Sequence, residues 1–236
     1  FNRELDMTKE KQPLRYQRNF NSLTIADQQK LGSSTVAIVG CGGLGGYIAE
    51  QLARLGVGHL ILIDGDRIEE SNLNRQLFAL EENIGWFKVE AAKERLQKVN
   101  SSIKLDLHRE WFSKENGNSL LKNADLVCDA LDNAEARVEV ERVCQELKIP
   151  FVFAAIGGWF GIVGVSYPGD NLAQSLFGDK RQGIEKELGN PGFTPAVIAS
   201  LAVAEATKVL TGKPSTLQKS FLYVDLLNME FNKFSR

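Results

Sequence analysis

Cysteine, histidine and an excess of charge of either sign are scarce in this chain of 236 residues. The three cysteines, Cys41, Cys128 and Cys144, form no close pair, which excludes a disulfide framework and a paired zinc motif. His59 and His108 have no metal-ligand or catalytic-triad spacing and are interpreted as structural. A net charge of −2 gives no basis for broad nucleic-acid binding, so no nucleic-acid partner is expected.

Long apolar runs are also lacking. No run approaches the length of a membrane-spanning helix, so no membrane association is expected. The first residues, Phe1 to Lys11, are charged and contain no apolar signal-peptide core. Together with unpaired cysteines, this favours a cytoplasmic protein. The length suits one large α/β domain or two small ones, and the absence of repeats and linkers favours one.

The first two thirds of the chain alternate between apolar runs and segments of helical period. Thr35 to Val39 predicts a buried strand, Leu44 to Leu55 a helix, and His59 to Asp64 a second strand. Such a βαβ unit implies a right-handed crossover and parallel strands. The alternation continues with predicted helices at Phe87 to Val99 and Ala134 to Leu147 and predicted strands at Ile103 to Leu107, Ala124 to Leu131 and Pro150 to Ile156. This pattern predicts a doubly wound, Rossmann-like, mostly parallel α/β sheet.

The pattern changes after Gly157. Trp159 to Tyr167 follows the preceding strand too closely for a crossover helix, which predicts an antiparallel pair. Pro168 to Phe193 is a long polar segment with a weak helical stretch, and segments of this kind are usually functional or mobile. Pro195 to Leu210 predicts an alanine-rich packed helix. The chain closes with an antiparallel hairpin predicted at Phe221 to Leu227 and Met229 to Phe234.

A glycine-rich turn joins the first predicted strand to its helix. The glycines Gly40, Gly42, Gly43 and Gly45 let backbone N–H groups and the helix N-terminus approach a phosphate or sugar, which predicts a nucleotide site. The alternative is a tight turn that binds nothing. Cys41 within the turn is interpreted as a small packed side chain, with a reactive thiol as the alternative.

Two acidic residues follow the second strand. Asp64 is placed to accept hydrogen bonds from both ribose hydroxyls, a feature that does not distinguish NAD from ATP. Asp66 could support the loop or a metal ion, or it could be a solvated turn residue.

Cations and amides come next along the chain. Asn72, Arg75 and Gln76 lie in a polar loop after the ribose-binding strand, where an arginine fork and an amide can hold β- and γ-phosphate oxygens. Lys88 on the following helix could add a point charge. Asp132, just beyond a buried strand, could hold Mg²⁺ against the phosphates, although Asp132 or Asn133 could equally cap the next helix. The set favours a triphosphate with a metal ion over a dinucleotide.

The ordered motifs resemble the E1-like adenylyltransferases, the ThiF, MoeB and HesA group related to ubiquitin-activating enzymes. The matching stretches are Arg15 to Arg18, Gly40 to Gly45, Ile63 to Asp66, Ser71 to Gln76, Gly85 to Lys88 and Asp129 to Asn133. The resemblance implies one adenylation domain over residues 1–236. It would comprise an N-terminal helical arm at 1–32, a nucleotide-binding half at 33–157, and antiparallel strands, a crossover segment and a packing helix at 158–236.

Such a resemblance also implies a reaction. Enzymes of this group use ATP and Mg²⁺ to adenylylate the C-terminal Gly-Gly carboxylate of a small ubiquitin-like protein, often a sulfur carrier, and release pyrophosphate. It implies that Asp64 holds the ribose, that Asn72, Arg75 and Lys88 hold the phosphates, and that Asp132 binds the metal. It also implies that Arg18 acts as an arginine finger from the second subunit of a homodimer.

Departures from the group limit the prediction. No Cys-x-x-Cys pair is present, so no zinc is expected, and Leu188 to Phe193 contains no thiol where several relatives have one. Only adenylylation is therefore predicted. The alternatives are a tRNA-modifying dehydratase of the same superfamily, an NAD-dependent oxidoreductase and a non-catalytic E1-like scaffold subunit.

Overall fold

The computed structural model describes residues 13–178 and 188–235. Eight strands in these ranges form one sheet. Numbered in chain order, they are β1 (Thr35–Val39), β2 (His59–Ile63), β3 (Lys104–His108), β4 (Leu126–Asp129), β5 (Phe151–Gly157), β6 (Phe160–Ser166), β7 (Ser220–Asp225) and β8 (Glu230–Ser235). Their order across the sheet is β3-β2-β1-β4-β5-β6-β7-β8.

Seven α-helices accompany the sheet in the described ranges. They are α1 (Ile25–Ser33), α2 (Gly43–Leu55), α3 (Lys88–Val99), α4 (Lys114–Leu121), α5 (Ala134–Leu147), α6 (Leu172–Phe177) and α7 (Phe193–Thr211). Short 3-10 helices occur at Leu14–Asn19, Glu70–Asn72 and Glu81–Asn83.

The sheet has a parallel half and an antiparallel half. Strands β1 to β5 pair in parallel, because each connection between successive strands contains a helix that returns the chain to the same edge. Only Gly158 and Trp159 separate β5 from β6, and this pair is antiparallel, as are β6 with β7 and β7 with β8. The predicted doubly wound fold with an antiparallel C-terminal extension is confirmed.

Successive residues of the central strands face two cores. Ile38 and Leu62 belong to the core on the side of α2, α3 and α7, whereas their neighbours Val39 and Ile63 belong to the core on the side of α4, α5 and α6. Burial on both faces explains why these strands appear in the sequence as continuous apolar runs.

Some element boundaries differ from prediction. Helix α4 was missed because its sequence is polar, with leucines only at its end, and it is stabilised by packing against α5. Strand β4 ends at Asp129 rather than Leu131, because the chain leaves the sheet there. The segment Pro168 to Phe193 contains α6, but its residues 179–187 lie outside the described residues, as do Phe1 to Lys11.

Helix α7 corrects the expectation that no apolar run approaches membrane-spanning length. The helix has 19 residues, and an 18-residue window of it has a mean hydropathy of 1.4, so it is long and apolar enough to cross a membrane by length and composition alone. The helix packs against α2, β5 and β6 and buries Ile198, Ala199, Ala202 and Ala206 completely. Its apolar composition is therefore accounted for by its place in the core, where small side chains permit close approach.

Candidate functional site

A cavity of about 490 Å³ opens at the carboxyl ends of β1, β2 and β4. Strand β1 has β2 on one side and β4 on the other, so the cavity lies at the topological switch point where α/β sheets bind ligands. Most of the predicted site residues line it, namely Gly40, Gly42, Gly43, Asp64, Asp66, Asn72, Arg75, Gln76, Lys88 and Asp132. Gly45 and Arg18 are not among the lining residues.

The glycine turn brings three backbone segments together. Gly40 has φ +95°, and a Cβ there would lie 2.8 Å from the carbonyl oxygen of Ala130. A Cβ on Gly45 would lie 1.9 Å from the Gly40 carbonyl oxygen. Gly45 therefore permits packing of the turn rather than contact with a ligand. Helix α2 begins at Gly43, and no side chain of residues 13–178 or 188–235 caps it, which leaves its first N–H groups available at the cavity.

Asp64 is oriented by two backbone amides. Its Oδ2 accepts from the N–H of Cys41 at 2.7 Å and its Oδ1 from the N–H of Asp66 at 2.8 Å. A carboxylate has further lone pairs, so both oxygens can still accept from ribose hydroxyls. Burial, together with the nearby charge of Asp64, raises the pKa of the Cys41 thiol. A packed Cys41 therefore fits the structure better than a reactive one.

Lys88 and Asp66 form an ion pair at the mouth of the cavity. Lys88 Nζ lies 2.5 Å from Asp66 Oδ2, and Lys88 is only 8% exposed. Burial by itself would raise the pKa of Asp66, but the hydrogen bond and charge of Lys88 outweigh it and lower that pKa. Asp66 is thus the counter-ion of Lys88. The sequence had not indicated this pairing, since the possibilities for Asp66 were support for the loop, a metal ion or a solvated turn residue.

The loop after β2 fixes an arginine beside the N-terminus of α2. Arg75 Nη1 donates to the Ser71 carbonyl and to Asn74 Oδ1, each at 2.9 Å, which leaves the other guanidinium donors for ligand oxygens. Asn72 is buried, and its Oδ1 accepts from the N–H of Glu69. Its Nδ2 donates to Ser71 Oγ at 3.3 Å, so Asn72 stabilises the loop while it lines the cavity.

Asp132 is exposed at the cavity and has no hydrogen-bond or ion-pair partner among residues 13–178 and 188–235. The N-cap of α5 is Asn133, whose side chain accepts from the N–H of Ala136 at 2.7 Å. Asn133, and not Asp132, therefore caps α5, so of the two alternatives for Asp132 only metal binding is left.

Metal binding at this edge would need the nucleotide. Among the residues that the structure describes, no group of three or more His, Cys, Asp or Glu side chains could hold a metal ion. Mg²⁺ commonly binds to one or two carboxylates, substrate phosphates and water, and Asp132 fits that arrangement.

Trp111 is a site residue that the sequence did not reveal. It follows β3, and its indole lies on Gly65, where a Cβ would be 3.0 Å from three ring atoms. The side chain is 65% exposed and lines the cavity with Glu110 and Phe112. The available signal was an aromatic residue just beyond a third parallel strand, at the same sheet edge as Asp64.

Arg18 lies far from the cavity of its own chain. It is exposed in the 3-10 helix Leu14–Asn19, which is anchored by Tyr16. The Tyr16 hydroxyl accepts from Asn100, and its ring lies against Gly56, the C-cap of α2. Helix α2 starts at the cavity and has 13 residues, so Arg18 lies about 20 Å away.

Comparison with known proteins identifies the family. The ThiF family profile matches residues 15–236. The chain belongs to the ThiF family. Among its relatives, protein HesA of Nostoc sp. is 34% identical over 209 residues, which cover 88% of this chain and 83% of HesA. The sulfur carrier protein adenylyltransferase of Thermus thermophilus is 34% identical over 219 residues, covering 88% and 80%. The SAMP-activating enzyme E1 of Haloferax volcanii is 30% identical over 208 residues, covering 86% and 77%.

Solved structures agree with the ThiF-family fold. A crystal structure of E. coli MccB with ATP superposes with a TM-score of 0.81 at 24% identity, over 95% of this chain and 72% of MccB. The structure of PaaA gives 0.77 at 22% identity, over 94% and 72%. The predicted family and the predicted enzyme class, an adenylyltransferase, are both confirmed.

Proposed function

We propose that this ThiF-family enzyme uses ATP to adenylylate the C-terminal carboxylate of a small ubiquitin-like sulfur-carrier protein and releases pyrophosphate. The observation that carries the proposal is the grouping of Arg75, Lys88 and Asp132 around a glycine-turn cavity that also holds Asp64. Among the described residues, Asp132 has no hydrogen-bond or ion-pair partner. Two cations and a carboxylate in one place can bind a triphosphate and its metal ion, whereas a nicotinamide cofactor would leave the three residues without a shared role. The names of relatives from Thermus and Haloferax support the carrier as the substrate class.

In this reaction the substrate supplies the nucleophile. An oxygen of the carrier carboxylate attacks the α-phosphorus, a new P–O bond forms, and the bond to the leaving pyrophosphate breaks, giving an acyl-adenylate. The protein positions the reactants and neutralises charge. Asp64 holds the ribose, and Arg75, Asn72 and Lys88 hold phosphate oxygens. For Lys88 this requires sharing its charge between Asp66 and the nucleotide.

A magnesium ion would be held at Asp132 and would neutralise charge on the phosphates. Arg18 would serve the active site of a second subunit in a homodimer, since it cannot reach its own. Residues 1–236 would form a single adenylation domain without structural zinc, and the protein would be cytoplasmic.

We propose that the reaction catalysed by this protein ends with the acyl-adenylate. Its three cysteines are all buried. Burial raises the pKa of Cys128 to about 12 and raises that of Cys144 as well. Thiols of this kind are poor nucleophiles at neutral pH. Sulfur would then be delivered to the adenylate by another protein.

ATP–pyrophosphate exchange in the presence of purified sulfur-carrier proteins tests the proposal. We expect exchange with at least one carrier that ends in Gly-Gly, and none when that carrier lacks its last two residues. A change in nicotinamide absorbance on turnover, with no exchange for any carrier, would instead favour an oxidoreductase.

A further inference from the structure

One face of α5 carries three polar side chains spaced four residues apart, and each fastens a different segment. Gln145 donates to the Tyr167 carbonyl. Glu141 is buried and accepts from the N–H groups of Ala173 and Gln174, so it caps α6. Arg137, nearest the cavity, is the member of this row that holds the loop after β4.

Arg137 is almost completely buried, with 2% exposure. Its Nη2 donates to the Leu131 carbonyl at 2.5 Å, and its Nη1 donates to the Ala154 carbonyl at 2.8 Å. Its Nη1 also lies 3.2 Å from Asp129 Oδ2, while Asp129 Oδ1 accepts from the N–H of Leu131 at 2.9 Å. The Asp129–Arg137 pair therefore grips both the amide and the carbonyl of Leu131.

The opposite side of the same loop rests on the glycine turn. The N–H of Ala130 donates to the Val39 carbonyl at 2.9 Å, and a Cβ on Gly40 would lie 2.8 Å from the Ala130 carbonyl oxygen. Ala130 and Leu131 are thus fixed from two sides. Asp132 is the next residue, so its backbone position is set, while its carboxylate has no hydrogen-bond or ion-pair partner in the part of the chain that the structure describes.

We propose that Arg137 is a positioning residue: through Leu131 it holds Asp132 at the point where a magnesium ion bound to ATP would meet the carboxylate. This inference rests on the proposed function. All five N–H donors of a buried guanidinium need acceptors, so carbonyl partners beside the carboxylate are expected for any buried arginine. What singles out Arg137 is that one of these carbonyls belongs to Leu131, the residue before Asp132. Here the guanidinium also spans the place where β4 and β5 separate, beyond their last pair, Asp129 with Phe153. Lysine could not span it, because it lacks the planar fork.

The test is calorimetric titration with ATP, once with Mg²⁺ and once with EDTA. The quantity compared is the dissociation constant of ATP in EDTA divided by that in Mg²⁺. This ratio reports the contribution of the metal to ATP binding. For Arg137→Lys we expect this ratio to fall about tenfold or more, the usual effect of losing a residue that orients a metal ligand. In Asp132→Asn the two dissociation constants should become nearly equal, and this variant serves as the benchmark for complete loss of the metal contribution.

Arg142 provides a matched control on the same helix. Its side chain is 40% exposed and pairs with Glu139 and Glu146 at the surface, so Arg142→Lys should keep the wild-type ratio. If Arg137→Lys fails to fold, the double variant Asp129→Asn with Arg137→Met decides, since it leaves no unpaired buried charge. We expect the same fall in that variant.

One result would overturn the inference, namely a wild-type ratio in a folded Arg137 variant. An equal weakening of ATP binding with and without Mg²⁺ leaves the ratio at that value, and it is what a purely structural role would give. A wild-type protein that binds no ATP under either condition would remove the proposed function itself, a result distinct from that one.

Discussion

Asp64 and Asp132 have the same side chain but differ in burial and in hydrogen bonding. Asp64 is buried and oriented by the amides of Cys41 and Asp66, so its geometry is set before any ligand arrives. Asp132 is exposed, and no residue in the described part of the chain engages it. The fixed orientation of Asp64 suits recognition of the ribose hydroxyls. The exposed carboxylate of Asp132 suits a metal ion that arrives with the nucleotide.

Asp132→Asn is expected to lower ATP–pyrophosphate exchange by about 10²–10³-fold, comparable to the loss of one group that stabilises transition-state charge. The melting temperature should not change, because the native carboxylate makes no hydrogen bond or ion pair with the described residues. Glu135→Gln, which alters an exposed carboxylate outside the cavity lining, is the control. Near-normal exchange in Asp132→Asn would remove the metal-binding role.

Trp111 is expected to support the nucleobase. One side of its indole packs on Gly65 and the rest is open to the cavity, an arrangement suited to stacking a purine. Trp111→Ala should weaken ATP binding by about 1–3 kcal/mol, the usual worth of an aromatic–base stack, and Trp111→Phe should retain most of it.

Quenching of tryptophan fluorescence by ATP measures this effect directly. Trp86, which is exposed at a different cavity, supplies the control variant Trp86→Phe, in which quenching should persist. If quenching survives in Trp111→Phe and disappears in Trp86→Phe, the assignment is wrong.

At the scale of elements, the turn between β1 and α2 depends on close backbone approach. Gly45→Ala is expected to destabilise the protein by about 1–3 kcal/mol through overpacking, and to abolish ATP binding, because the new Cβ meets the Gly40 carbonyl. A Cβ on Gly32 in α1 would instead project into open space, with no neighbouring element within 4 Å. Gly32→Ala should therefore be neutral or stabilising by about 0.4–1 kcal/mol. Urea unfolding measures both, and equal stability of the two variants would contradict the packing argument.

Helix α1 is tied to the chain beyond α7 by an ion pair between Asp27 and Lys213, 2.5 Å apart. The hydrogen bond from Lys213, followed by that from the N–H of Thr24, lowers the pKa of Asp27 from 3.8 to about 2. The folded state thus has the lower pKa, so the stabilisation is present above about pH 4. It is lost as the pH falls from about 4 to 2.

Asp27→Asn should accordingly lower the melting temperature at pH 7 by about 2–4 °C. In this variant the melting temperature should also fall less steeply between about pH 4 and 2 than it does in the wild type. Thermal melts across this range provide the measurement. Glu94→Gln, which breaks the exposed pair with Lys98, should change little, since such surface pairs contribute little. A decline of wild-type steepness in Asp27→Asn would show that other carboxylates control acid unfolding.

At the scale of the whole molecule, the sheet could be predicted because its central strands are buried on both faces and stand out as apolar runs. The candidate site could be predicted in outline, in that Asp64 and Asp132 each follow such a strand and line one cavity. Helix α4 escaped because its polar sequence becomes a helix only through packing against α5. Trp111 gave only the signal of an aromatic residue just beyond a parallel strand, and nothing local distinguishes Arg137. Their roles depend on Gly65 and Leu131, which only the tertiary fold brings near.

The position of Arg18 predicts a site shared between subunits, since it lies at the end of α2 remote from the cavity. Arg18→Ala and Asp132→Asn proteins should each be nearly inactive in pyrophosphate exchange. Mixing them in equal amounts should restore roughly a quarter of wild-type activity, because half of the dimers would be mixed and each would have one intact site. No recovery, with subunit exchange demonstrated, would argue against a shared site.

The central claim is that the carboxyl edge of the sheet binds ATP with a divalent cation. A crystal structure with Mg²⁺ and a non-hydrolysable ATP analogue tests it most directly. We predict ribose hydroxyls at Asp64, phosphate oxygens at Arg75 and Lys88, and the metal ion at Asp132. An analogue bound elsewhere, with the cavity empty and these side chains turned away from it, would contradict the claim.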